Sequence, residues 1–60
     1  MLVTFYDRKH KKQVAFMIEM QTVPCVGDSV MIGKTLYEVI GRMFSTDKPH
    51  RCCCYVERKK

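Results

Sequence analysis

The chain has 60 residues, a formal net charge of +5 and 47% hydrophobic residues. That length allows one domain, burying only about 60% of the surface its unfolded form exposes. The apolar content excludes a disordered chain, and no apolar run reaches the roughly 18 residues that a membrane-spanning helix needs. The opening MLVTFYD has no basic segment ahead of an apolar one, so no secretory signal is expected and the chain reads as a complete small gene product. Eleven lysines and arginines face six acids. This excess predicts attraction to polyanions: nucleic acid, an anionic membrane surface or an acidic protein. The same excess also serves solubility alone.

Residues 2–6, LVTFY, are β-branched and aromatic and predict a strand. DRKHKK follows as a solvated turn carrying Arg8, Lys9, Lys11 and Lys12 beside His10. Residues 13–22 alternate, with Val14, Phe16, Ile18 and Met20 on the expected buried face and Ala15, Met17, Glu19 and Gln21 on the other. A helix competes there, because Met, Ala, Glu and Gln are good helix formers; the alternation and the β-branched residues favour a strand. Pro24 has no N–H and ends that strand. Gly27-Asp28 supplies a turn. SVMI is the third strand, with Val30 and Ile32 inward. Gly33-Lys34 suits a two-residue type II′ hairpin. TLYEVIGRMF returns as a long strand with Tyr37 and Val39 on one face. Gly41 inside it marks a bulge, which shifts the phase so that Phe44 rather than Met43 turns inward. After the turn STDKPH, RCCCYVER forms the last strand, with Cys52, Cys54 and Val56 inward and Cys53, Tyr55 and Glu57 outward. Residues 58–60, RKK, are expected to fray as a basic tail.

Five short strands, no convincing helix and no repeat predict an all-β domain over residues 1–60. Five bent strands bury most apolar area by curling on themselves, and closure hides their edges. The expected architecture is a small five-stranded antiparallel SH3-like barrel, with an OB-like barrel or an open β-sandwich as the alternative. Pro24, Val26, Gly27, Asp28, Val30, Ile32, Tyr37 and Val39 form a pattern, P-x-V-G-D-x-V-x-I followed by Y-x-V, covering about a third of the chain. The pattern resembles small SH3-like proteins of phages, prophages and plasmids. The resemblance implies a fold and a mobile-element origin; it carries no catalytic motif and no site residues.

Three of the four cysteines are consecutive, and neighbours on a strand point to opposite faces, which makes a poor disulfide framework. Without a signal, the thiols are expected reduced and the location cytoplasmic. His50, Cys52 and Cys54, with Cys25 or His10, suggest zinc by residue type. Their alternate spacing puts successive ligands about 7 Å apart by strand rise, too far for one tetrahedral ion without a bulge. The competing reading, favoured here, makes Cys52 and Cys54 small buried hydrophobes. Neither a C-x-x-C nor a serine elbow around Ser29 or Ser45 occurs, so no enzymatic activity and no cofactor are expected.

Binding remains. The cations cluster at Arg8, Lys9, Lys11 and Lys12 and again at Arg58, Lys59 and Lys60, with Lys34, Arg42, Lys48 and Arg51 between. Pairing of the first and last strands brings Tyr6 and Tyr55 beside a basic patch, an arrangement that suits single-stranded nucleic acid. No base-recognition motif accompanies it, so an acidic protein surface is the preferred partner. An outward Met17 beside Ala15 adds an adaptable contact, or a homodimer face. The expected function is a basic, non-enzymatic module that docks on a host protein complex and inhibits or recruits it. Its site is Tyr6, Arg8, Lys9, Lys11, Lys12, Met17 and Tyr55. Nucleic-acid binding is the alternative, and a small zinc-binding domain the second.

Overall fold

The computed structural model describes residues 1–46 and 50–59. Five strands carry the fold: β1 (Leu2–Asp7), β2 (Lys12–Glu19), β3 (Ser29–Ile32), β4 (Thr35–Ser45) and β5 (Arg51–Arg58). They form one sheet in the order β2-β1-β5-β4-β3, curled into a half-barrel. No helix among the described residues is long and apolar enough to cross a membrane. The turn expected at STDKPH lies partly at residues 47–49, outside the described residues.

The sheet is mixed rather than wholly antiparallel. β1 runs parallel to β5, with Leu2 opposite Arg51 and Asp7 opposite Val56, while the other three pairings are antiparallel. The reason is the crossover between β2 and β3. Residues 20–28 carry the chain from one edge of the sheet to the other without reversing the alternation of strand direction. This segment straps the open side of the half-barrel. The Met20 N–H donates to Met1 O at 3.0 Å, and Met20 and Val23 pack against the core. At its far end Gly27, at φ 97°, makes the turn that lets its N–H reach Val39 O at 2.8 Å. Asp28 Oδ2 accepts the Cys25 N–H at 2.8 Å and fixes that turn.

The core follows the period-two rule in three strands. Val3 and Phe5, then Tyr37 and Val39, then Cys52, Cys54 and Val56 are all buried on one face. Val30 and Ile32 pack against them from β3. The hairpin between β3 and β4 places Gly33 alone at positive φ, 62°, as a type II′ turn requires. The glycine at 41 does mark a bulge. The register slips between Val39 and Gly41, and Phe44 comes opposite Cys52.

Three expectations need correcting. Val14, Phe16, Ile18 and Met20 do not share a buried face, because β2 slips register twice against β1. Met17 sits at φ 54°, the backbone conformation that absorbs the second slip, and Thr4 Oγ1 accepts its N–H at 3.3 Å. Val14 and Ala15 before that bulge and Met20 after it pack against the core, while Phe16 is left 62% and Ile18 44% exposed. Phe44, expected to turn inward past the Gly41 bulge, is 50% exposed, and Met43 is 57% exposed. Residues 58–59 are also not frayed. Arg58 closes β5 opposite Tyr37, the Lys59 N–H donates to Leu36 O, and Lys59 Nζ donates to Ser29 Oγ at 2.7 Å.

Candidate docking face

The parallel pairing of β1 with β5 decides where the charge goes. Both strands end at the same pole of the sheet, so the turn after β1 and the end of β5 meet there. The Arg8 N–H donates to Val56 O at 3.2 Å, which ties the two segments together. The two basic clusters of the sequence thus become one: Arg8, Lys9, Lys11 and Lys12 beside Arg58 and Lys59. All six are exposed. An antiparallel pairing would have sent them to opposite ends.

The turn that carries them is built on Asp7. This carboxylate is buried; its Oδ1 accepts the His10 N–H at 3.1 Å and its Oδ2 lies 2.8 Å from His10 Nδ1. Burial pushes the Asp7 carboxyl up. The hydrogen bonds from the His10 backbone and ring, with a further one from the Lys9 backbone, outweigh it and leave the group below its ordinary value of 3.8. An ionised, satisfied anion at the base of the turn holds four cations outward.

Tyr6 and Tyr55 are direct register partners on the outer face. Their rings meet edge to face, with centroids 6.1 Å apart, and the Arg8 guanidinium lies 6.0 Å from the Tyr55 centroid. Tyr55 also rests against the backbone at Gly41, where a Cβ would lie 3.6 Å from its ring. Both tyrosines are half-buried. Their contacts are thus made largely within the fold, and the open stacking platform that a free base needs is reduced.

Further along the same face, away from the basic pole, the surface opens into an apolar groove of about 490 Å³. Thr4 and Cys53 form its floor, while Phe16 and Met17 from β2 and Met43 and Phe44 from β4 form its sides. Arg51 lines it as well, and the Arg42 guanidinium sits 5.2 Å from the centre of the Phe44 ring. No acidic side chain lines it among the described residues. Met17 therefore belongs to the groove and not to the basic pole. Phe16 and Phe44 were missed as surface residues. The run F-M-I at 16–18 was the available signal, because three successive apolar residues on one strand cannot all face a single core.

The thiols do not assemble a metal centre. Cys52 and Cys54 share the inner face with Sγ atoms 4.0 Å apart, closer than the roughly 7 Å expected from strand rise, so their spacing is not what excludes an ion; they lack further ligands among the described residues, and Cys25 is exposed in the strap. No group of three His, Cys, Asp or Glu side chains is placed to hold an ion among the described residues. Burial, with the neighbouring Cys52 thiol next, pushes the Cys54 thiol up to about 12, and Arg42 offsets only part of this. Burial also raises Cys53, against a hydrogen bond with Tyr55. Cys54 is therefore a protonated core residue at neutral pH. Compared with protein-family models, curated proteins and solved structures, the chain finds no match.

Proposed function

We propose that this chain is a non-enzymatic docking module that seats its basic pole on an acidic protein surface and thereby blocks or recruits the complex that carries it. The observation behind this reading is the merging of both basic clusters at one pole by the parallel β1–β5 pairing. Six exposed cations on a rigid sheet end steer an acidic partner and set its orientation. Nucleic acid answers to the same charge. The protein reading is preferred because the tyrosines that would stack on bases are engaged with each other, and because an apolar groove shares the face.

The test is affinity capture from a nuclease-treated cell lysate with the wild-type chain and with the Lys9→Glu/Lys11→Glu variant. A discrete protein species that survives nuclease and is lost with the variant supports the proposal. Capture that disappears with nuclease assigns the pole to nucleic acid. Capture indifferent to both treatments removes the basic pole from the function.

A further inference from the structure

Resting on that reading, we infer that the partner is recognised by a bipartite segment: a large apolar side chain seated in the Phe16–Met43 groove, and carboxylates about 13 Å away on the basic pole. The spacing follows from β1 itself. Thr4, on the groove floor, and Arg8, the first residue after β1, are four residues apart, which at ~3.3 Å per extended residue gives about that distance.

Three observations set the chemistry of the occupant. The groove is apolar and open, and its side chains are unusually uncovered: Phe16 62%, Met43 57% and Phe44 50% exposed. Convergence of large exposed apolar groups on one concavity marks a contact site rather than scattered surface apolarity. Its charged neighbours, Arg42 and Arg51, are cations, so the segment that enters carries acids beside its apolar anchor. A second copy of this chain is the wrong occupant. Each copy carries +5, and face-to-face association would bring arginine against arginine. The Met17 bulge belongs to the same design. A non-glycine residue at φ 54° costs roughly 1 kcal/mol or more, and the result of that strain is to turn Phe16 out of the core and Met17 into the groove.

The experiment selects displayed random 16-residue peptides against the folded chain. Binding of the winners is then measured by fluorescence polarisation to the wild type, Phe16→Ser, Met43→Ser and Lys9→Glu/Lys11→Glu. Far-UV circular dichroism confirms that each variant is folded. The expected winners hold an aromatic or large aliphatic residue and an acidic run separated by about four extended residues. Each of the three variants should weaken them about tenfold or more, as loss of a central contact does. Winners weakened by the charge reversal but not by Phe16→Ser or Met43→Ser overturn the bipartite inference and leave the docking proposal standing. Winners indifferent to all three overturn both. A groove-dependent, salt-sensitive affinity for oligothymidylate that displaces the peptides assigns the face to nucleic acid and overturns the inference. So does a dimer in sedimentation that Phe16→Ser converts to monomer.

Discussion

β1 and β2 look alike in sequence and behave differently in the fold. Each alternates apolar residues, each carries one phenylalanine near its middle, and they pair with each other. In β1 the alternation is kept, and Val3, Phe5 and Asp7 are all buried. In β2 no residue is fully buried, and its phenylalanine faces solvent. The difference is position in the sheet. β1 lies between two strands, whose ladders on both sides hold its register. β2 is an edge strand with one partner, free to take two bulges. An alternating pattern thus specifies a face only where something holds the register: strands on both sides for β1, or the two-residue hairpin to β4 for β3, the other edge strand, whose Val30 and Ile32 stay inward. β2 has neither hold, and its Phe16 becomes surface.

The comparison can be broken most directly at its two phenylalanines. Phe5→Ala should cost ~3–4 kcal/mol. A core of this size supplies roughly 3–5 kcal/mol in all, so the variant should be largely unfolded in a urea titration. A second contrast sets the two-sided β5 against the strap. Cys25 is exposed and should react with a disulfide reagent at once, while Cys52 and Cys54 should wait for opening of the core and lag by about a hundredfold or more. Above about pH 9 the unfolded thiol ionises while folded Cys54 keeps its proton up to about 12, so stability should fall as pH rises there.

At the turn joining β1 to β2, the sign is reversed. The folded Asp7 pKa lies below its ordinary value, so its contribution is complete above about pH 4 and disappears as pH falls through the folded value. Denaturation midpoints measured from pH 7 to pH 2 should drop in that window, and Asp7→Asn should flatten the drop. Within β2, Met17→Asn should raise stability by up to about 1 kcal/mol, because asparagine tolerates positive φ. Smallest of all, Phe16→Ser should change the unfolding free energy by less than about 0.5 kcal/mol in the same urea titration. A cost near that of Phe5→Ala would mean that β2 is packed after all.

Most of the architecture was readable because it rests on punctuation and period. Gly33-Lys34, Gly27-Asp28 and Gly41 placed the turns and the bulge in β4, and Cys52, Cys54 and Val56 took their faces from alternation alone. The β2 bulges were not readable, since Met17 has no glycine or asparagine to announce a positive φ. The parallel β1–β5 pairing was hidden too. Strand direction depends on how residues 20–28 cross the molecule, and nothing local in that segment encodes its path. The site inherits both gaps. The basic residues were evident, but their meeting at one pole depended on strand direction. The groove depended on the bulge.

The central place of the first and last strands has a kinetic consequence. The two antiparallel halves of the sheet, β1–β2 and β3–β4–β5, join only where Leu2 meets Arg51. The decisive encounter therefore closes nearly the whole chain, a slow event for so short a polypeptide. During synthesis the two halves have no join until β5 leaves the ribosome, so the sheet is completed late.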